Sequence, residues 1–241
     1  METPETGTMR AMRITLVRHA TLLVELRGLR LLVDPMLDPA HARPPIENTA
    51  NDVRNPLVEL PFDPLPDVDA VLVTHLHQDH LDDTAAARIP RETPVFCQAE
   101  DEATLRGRGL AATGIAGRIG WSGLTIHRTG GLHGMDWLGP VSGFVLDDLY
   151  LAGDTVWCGE LEQALVRHRP RVAVLNAGEA RFLEGPPITM GAEDVARVAA
   201  RVETTVAVHM EAINHCGLSR AALAAAVPEV LIPADGETLE L

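Results

Sequence analysis

The chain contains no lysine, so all 20 residues counted as lysine or arginine are arginines. This absence excludes enzymes that form a Schiff base on lysine, and it excludes the phosphate-binding loop whose lysine contacts nucleotide phosphates. Serine occurs only at Ser122, Ser142 and Ser219, and none of these lies in the G-x-S-x-G turn that presents a nucleophilic serine. A serine hydrolase is therefore not expected.

Cysteine and long apolar runs are scarce as well. Cys97, Cys158 and Cys216 form an odd, widely spaced set, which gives no disulfide framework and predicts a reducing, cytoplasmic location. No apolar run approaches the roughly 20 residues that span a bilayer. The net charge is −14, and acidic and basic residues are scattered along the chain. We therefore expect neither a membrane nor a nucleic acid as partner.

The order of apolar and polar segments predicts one α/β domain over residues 1–241, with residues 1–8 as a frayed extension. Residues 12–34 are typical of antiparallel strands, whereas residues 35–66 are rich in proline and lack apolar periodicity. Loops of that length are usually functional, so we expect this loop to border a substrate pocket. The final third alternates helices and strands and ends with a predicted strand near residues 229–233.

A continuous apolar strand over residues 68–74 leads directly into the segment THLHQDH. His75 and His77 can face one position from the end of this strand, and a following turn can bring Asp79 and His80 to a second position nearby. Imidazole and carboxylate groups are metal ligands, and each zinc ion needs three or four of them. The segment can therefore supply two metals if further ligands come from elsewhere. The sequence offers His133, Asp154 and His209, which lie at or near the ends of other predicted strands.

With these segments the chain resembles the metallo-β-lactamase superfamily of metal-dependent hydrolases, from the opening strands through THLHQDH, His133, LAGDT and VHM. The HAT and LLVDP segments are similar to the branch that contains ascorbate-6-phosphate lactonase-like enzymes and N-acyl phosphatidylethanolamine phospholipase D. The resemblance implies an α/β (α+β) fold, a four-layer αββα sandwich of two facing mixed sheets with helices outside. The metals would lie at one edge, between the sheets.

The resemblance also implies two divalent ions, zinc or alternatively manganese. The ligands would be His75, His77 and His133 for the first ion, Asp79, His80 and His209 for the second, and Asp154 between the two. A metal-bound hydroxide would attack a small-molecule ester or lactone, with Asp79 orienting it. His215 could act as a second catalytic residue on the oxyanion or leaving group, and a structural role for His215 is equally consistent with the sequence.

Other interpretations remain open at this stage. The same site could hydrolyse a small phosphodiester, and a non-catalytic zinc-binding domain is a further alternative. His19 lies in a predicted turn, where it could hydrogen-bond a metal ligand or only the turn itself. Self-association of the chain is also possible.

The choice between His133 and His127 gives a direct test. Flanking glycines predict that His133 lies in a loop, whereas His127 falls inside a predicted strand. We expect His133→Ala to lose bound metal, because it removes a ligand, while the matched variant His127→Ala keeps the wild-type content in elemental analysis. The opposite pair of results would reverse the assignment.

Overall fold

The structure is a computed structural model that describes residues 12–241, so the expected extension at residues 1–8 lies outside the described residues. In chain order the strands of this part of the chain are β1 (Arg13–Arg18), β2 (Thr21–Leu26), β3 (Leu29–Val33), β4 (Ala70–Val73), β5 (Pro94–Gln98), β6 (Ala111–Ile115), β7 (Arg118–Trp121), β8 (Leu124–Gly130), β9 (Ser142–Leu146), β10 (Leu149–Leu151), β11 (Val172–Asn176), β12 (Thr204–Val208) and β13 (Thr238–Glu240). The α-helices are α1 (Asp83–Arg88), α2 (Glu102–Gly107), α3 (Gly159–His168), α4 (Ala192–Ala199) and α5 (Arg220–Ala226).

The strands form two mixed sheets. The first sheet has the order β13-β1-β2-β3-β4-β5-β6, and the second has the order β12-β11-β10-β9-β8-β7. In the first sheet the pairs from β13 to β3 are antiparallel and those from β3 to β6 are parallel. In the second sheet the pairs from β7 to β10 are antiparallel and those from β10 to β12 are parallel. Each sheet therefore has a parallel part whose strand ends can present side chains at one edge.

Three apolar layers hold the sheets and helices together. Side chains of both sheets, such as Leu72 and Phe144, meet in one buried cluster. A second cluster joins the second sheet to helices α3, α4 and α5, and a third joins the first sheet to α1 and α2. The layers are therefore helix, sheet, sheet and helix, which confirms the predicted αββα sandwich. Within residues 12–241, no helix combines the length and the apolar character needed to cross a membrane.

Strand β4 illustrates why its sequence is apolar throughout. Ala70 and Leu72 belong to the cluster between the sheets, whereas Val71 and Val73 belong to the cluster under α1 and α2. Successive strand residues point to opposite faces, and both faces are covered here. The strand is therefore fixed on both sides at the point where the chain enters His75.

The predicted strand at residues 229–233 is wrong. Only Leu231 forms a bridge there, to Val206, and the final strand is β13, which pairs with β1. Pro228 and Pro233 bracket the segment, and a proline has no N–H to donate to a strand ladder. Strand pairing therefore cannot extend past a single bridge at this place.

Candidate functional site

Eight histidine and aspartate side chains gather at the edge where strands of both sheets end. They form two groups, within each of which one potential ligand atom per residue lies within 4.8 Å of the others. The first ligand group is His75, His77, His133 and Asp154, and the second ligand group is His19, Asp79, His80 and His209. The structure thus brings together all seven residues that the sequence indicated as ligands, and it adds His19.

The THLHQDH segment serves both groups because the chain turns sharply within it. The backbone N–H groups of His80 and Leu81 both donate to the carbonyl of His77, at 3.0 Å. Asp82 then caps α1 by accepting a hydrogen bond from the N–H of Ala85. After this turn Asp79 and His80 lie in the second ligand group, whereas His75 and His77 lie in the first.

Within the first ligand group the ring nitrogens converge. Nε2 of His75 lies 2.9 Å from Nδ1 of His77, and Nε2 of His133 lies 3.3 Å from the same atom. Nε2 of His75 and Nε2 of His133 each lie 3.9 Å from Oδ2 of Asp154. Three imidazoles from two sheets therefore face one small volume beside a carboxylate.

The second ligand group is arranged around Asp79. Oδ2 of Asp79 lies 3.1 Å from Nε2 of His19, 3.6 Å from Nε2 of His209 and 3.9 Å from Nε2 of His80. Asp154 reaches this group as well, because its Oδ2 lies 3.3 Å from Nε2 of His80 and its Oδ1 lies 3.3 Å from Nε2 of His209. Asp154 thus lies between the two groups, where the sequence-based prediction puts a bridging ligand.

Neighbouring groups orient several of these side chains. Nδ1 of His80 donates to Asp34 at 2.8 Å, Nδ1 of His133 donates to the carbonyl of Ile188 at 2.8 Å, and the amide of Asn176 donates to Asp154 at 2.7 Å. A hydrogen bond at one ring nitrogen leaves the other nitrogen free for a metal. These contacts therefore turn Nε2 of His80 and Nε2 of His133 toward the cluster.

The charges of the cluster are strongly coupled. Burial opposes ionisation of Asp154, but His209 and His80 outweigh it and hold the pKa of this carboxyl well below its usual range. Burial likewise opposes protonation of His80, but Asp154, Asp34 and Asp79 prevail and raise its pKa to about 10. Burial lowers the pKa of His19 to about 3. In the absence of metal, His80 is therefore a cation that compensates the carboxylates.

The donor set fits divalent metal ions. Nε2 of His80 and Nε2 of His209 are buried and complete no hydrogen bond within the described chain, although each lies 3.3 Å from a carboxylate oxygen of Asp154. Buried polar atoms without partners are rare and call for an explanation, such as an ion. Imidazole nitrogens and carboxylate oxygens are ligands that zinc takes readily. The two unpartnered nitrogens are accounted for if they bind metal.

A cavity of about 280 Å³ adjoins the cluster and reaches His77, Asp79, His133 and Asp154. Most of its wall is apolar, from the side chains of Met36, Pro44, Ile46, Pro56, Leu138, Phe182, Ile188 and Ile213. Arg43 also lines it, but its guanidinium is ion-paired with Asp38 and Asp83. The pocket therefore offers apolar surface and a partnered arginine beside the metal ligands.

The proline-rich loop after β3 supplies one wall of this cavity, as the sequence predicted, through residues that include Met36, Ile46 and Pro56. Two residues outside the loop hold it. The buried guanidinium of Arg18 donates to the carbonyls of Met36, at 2.7 Å, and Val58, at 3.0 Å. The wall is thus fastened near both of its ends.

Asn214 holds the middle of the same loop. Its Oδ1 accepts hydrogen bonds from the N–H of Ile46 and the amide of Asn55, and its Nδ2 lies 2.7 Å from the hydroxyl of Thr49 and 2.9 Å from the carbonyl of Asn51. The next residue, His215, lines the cavity, and burial lowers its pKa to about 4. His215 is therefore a neutral imidazole near Asp79.

His127, the alternative to His133, packs against His168 with ring centroids 4.9 Å apart, away from the cluster that contains His133.

Sequence reasoning left three contributors, His19, Arg18 and Asn214, unassigned or undecided. The sequence left the role of His19 undecided, although its place just after β1, at a strand end like the other ligands, was a usable signal. Nothing in the sequence marked Arg18 or Asn214, because each acts on residues far away in the chain.

Comparison with known proteins agrees with the geometry. Residues 29–210 match the family described as the Beta-lactamase superfamily domain. The UPF0173 protein YddR of Bacillus subtilis is 36% identical, with 94% of this chain and 99% of that protein covered. The UPF0173 metal-dependent hydrolase MJ1163 of Methanocaldococcus jannaschii is 31% identical, with 83% of this chain and 97% of that protein covered. The crystal structure of isothiocyanate hydrolase from Delia radicum gut bacteria superposes with a TM-score of 0.90 at 37% identity, covering 95% of this chain and 99% of that one.

The raised pKa of His80 predicts how stability depends on pH. Without metal, the charge on His80 stabilises the fold fully below its ordinary pKa of 6.5, and this contribution is lost as pH rises through about 10. We expect urea midpoints measured in a chelator to fall over that interval. Asp34→Asn keeps an acceptor for His80 but removes a charge, so the fall should become shallower. A wild-type midpoint that stayed level from pH 6.5 to 10 would contradict this account.

The contacts of Asn214 predict that the loop is a fixed wall. Asn214→Ala removes several buried hydrogen bonds, each worth about 1 kcal/mol, so the loop should open more often. We expect trypsin to cleave after Arg54 at least about tenfold faster, with metal content unchanged. Thr49→Val removes a single partner of Asn214 and should have a smaller effect. Equal cleavage rates in all three proteins would mean that Asn214 does not hold the loop.

Proposed function

Because the chain belongs to the family of β-lactamase superfamily domains and is a metal-dependent hydrolase, we propose that it uses two divalent ions to hydrolyse a small, uncharged molecule at a carbon atom. Two adjacent ligand groups that share Asp154 support the number of ions. Zinc is the ion we expect, with manganese as the alternative, since imidazole and carboxylate ligands suit zinc and carboxylates suit manganese.

In this proposal His75, His77 and His133 would hold one ion, Asp79, His80 and His209 would hold the other, and Asp154, which lies between the two groups, would serve both. Bound divalent ions would lower the pKa of a water molecule so that it can act as a nucleophile, and would stabilise negative charge that develops on the substrate. The residues of the chain set the position of the ligands, exclude bulk water from the cavity and handle protons.

Two side chains are suited to act on the reacting atoms. Asp79 lines the cavity, and its contact with Nε2 of His19 fixes the direction of its carboxylate. This carboxylate can orient a water molecule and accept its proton. His215 lines the same cavity as a neutral imidazole, and we propose that its ring N–H donates a hydrogen bond to the substrate oxyanion or to the leaving group.

The apolar wall is the observation that carries the choice of substrate. An anionic substrate would lose its hydration in this pocket and would find the guanidinium of Arg43 already paired with Asp38 and Asp83. A neutral ester or lactone keeps only a carbonyl group near the ions and lays its apolar part against residues such as Ile46 and Phe182. We therefore favour ester or lactone hydrolysis over hydrolysis of a phosphodiester.

An isothiocyanate is a second candidate, which the similarity to the isothiocyanate hydrolase supports. Isothiocyanates are neutral and small, and their central carbon is electrophilic, so they suit the same pocket. Water adds its oxygen to that carbon, the carbon–nitrogen bond then breaks, and both protons of the water pass to nitrogen. The products are an amine and carbonyl sulfide, and no oxidant or reductant is needed.

The cavity and the cysteines also bear on the non-catalytic alternative, the compartment and the partner. A closed, non-catalytic zinc site has no reason to face a cavity, yet His77, Asp79, His133 and Asp154 all line one. Cys97, Cys158 and Cys216 are free thiols, which supports a reducing cytoplasmic compartment. We propose a small molecule, rather than a nucleic acid or a membrane, as the partner.

A substrate panel tests the proposal. With zinc-loaded and manganese-loaded protein, we expect kcat/KM for benzyl isothiocyanate, δ-valerolactone or p-nitrophenyl acetate to exceed that for bis(p-nitrophenyl) phosphate by at least about 100-fold, since the wall is largely apolar and Arg43, the arginine that lines it, is already paired. Preference for the phosphodiester would overturn the substrate class. A higher kcat/KM for the isothiocyanate than for the lactone and the ester would favour the second candidate, and the reverse order would favour the first.

Asp79→Asn tests the role of the carboxylate. This change keeps the size of the side chain and one oxygen but removes the charge, so we expect turnover to fall by a factor of about 10² to 10⁴ at matched metal occupancy. The same substitution at Asp67, in an exposed turn, serves as the control. Turnover near wild type in fully loaded Asp79→Asn protein would remove Asp79 from the mechanism.

A further inference from the structure

His19 and His209 form an unusual junction between the two sheets. His19 follows β1 of the first sheet and His209 follows β12 of the second, and the N–H of His209 donates to the carbonyl of His19 at 2.9 Å. Both residues have a left-handed backbone, with φ of 60° at His19 and 68° at His209. Such conformations are costly for residues other than glycine and persist where the surrounding structure requires them, often at functional sites.

The side chain of His19 is aimed into the second ligand group. It is fully buried, its Nε2 lies 3.1 Å from Oδ2 of Asp79, and its ring centroid lies 3.6 Å from that of His209. Its Nδ1 has no hydrogen-bond partner within the described chain. A histidine that served only the local turn would not need to place its other nitrogen among three potential metal ligands.

The two ligand groups differ in their access to the cavity. His77, His133 and Asp154 of the first ligand group line it, whereas Asp79 alone of the second ligand group does so. His19, His80 and His209 are each completely buried. Catalytic metal sites keep a coordination position that water or substrate can reach. Access to the cavity therefore separates a closed group from an open one.

We propose that His19 is a further protein ligand, in addition to Asp154, of the ion held by Asp79, His80 and His209, and that substrate therefore meets the ion held by His75, His77 and His133. The inference rests on the proposed presence of two ions. It makes the two sites unequal: the second ligand group binds its ion more tightly and releases it more slowly. The ion of the first ligand group has room for the substrate.

Metal affinity tests the ligand without any assay of activity. His19→Asn is compatible with the left-handed backbone but too short to reach the site, whereas His19→Gln can still hydrogen-bond Asp79 and is a poor metal ligand. Zn²⁺ titrations against a competing chelator should show a tight and a weaker site in the wild type. We expect both variants to lose more than about 100-fold at the tight site, beyond what loss of an orienting hydrogen bond costs. The weaker site should stay unchanged, and the control His127→Asn should match the wild type.

Recovery of wild-type affinity in His19→Gln would overturn the inference, because His19 would then only orient Asp79. Losses of about 100-fold or less in both variants would overturn it as well, because the loss of an orienting hydrogen bond accounts for an effect of that size. Binding of one ion per wild-type chain would instead refute the proposed two-ion function. Urea midpoints of the metal-free proteins check that each variant folds.

Nuclear magnetic resonance of the wild type keeps the test valid if a variant does not fold. In ¹¹³Cd-loaded protein with ¹⁵N-labelled histidine, one cadmium resonance should couple to nitrogens of His19, His80 and His209, and the other to His75, His77 and His133. Acetohydroxamate, a small chelating probe, should shift the second resonance more than the first. Absence of coupling to His19, or a larger shift of the resonance coupled to His80, would contradict the proposal.

Discussion

Buried negative charge at the strand ends is the constraint on which the rest of the molecule depends. The side chains of Asp34 and Asp154 are at most 3% exposed, and that of Asp79 is 12% exposed. A carboxylate removed from water is tolerated only with donors or cations around it. The histidines, Thr74 and Asn176 meet this need, and they come from both sheets. The two sheets must therefore close on each other for either to be stable at this edge, and the site is a product of that closure.

The sequence predicted the layers of the fold and pointed to seven of the eight clustered histidine and aspartate side chains for a physical reason. Strands buried on both faces are continuously apolar, so a polar cluster such as THLHQDH at the end of one of them stands out. His133, Asp154 and His209 could be found because they too lie at or near strand ends. The strand expected at residues 229–233 failed because an apolar run alone does not guarantee a ladder when prolines bracket it.

The sequence predicted that the proline-rich loop borders the pocket, but not how the loop is held, because the contacts that fix it join distant parts of the chain. Asn214 is separated from Asn55 by 159 residues, and Arg18 from Val58 by 40. Neither residue belongs to a local pattern, and a buried asparagine or arginine becomes meaningful only when its partners are known. The apolar character of the wall, on which the proposed substrate class rests, likewise arises from residues spread between Met36 and Ile213.

The division of the ligands between the two sheets has a consequence for how long the protein survives in a cell. With the proposed ions bound, each would join the front half of the chain to the back half and would cross-link a molecule whose three cysteines are all unpaired. An ion that binds only the folded form adds about 2.7 kcal/mol when its free concentration is 100 times the dissociation constant. A fall in the supply of free metal would then increase the unfolded fraction that proteases remove. The abundance of this protein should follow the metal nutrition of its host.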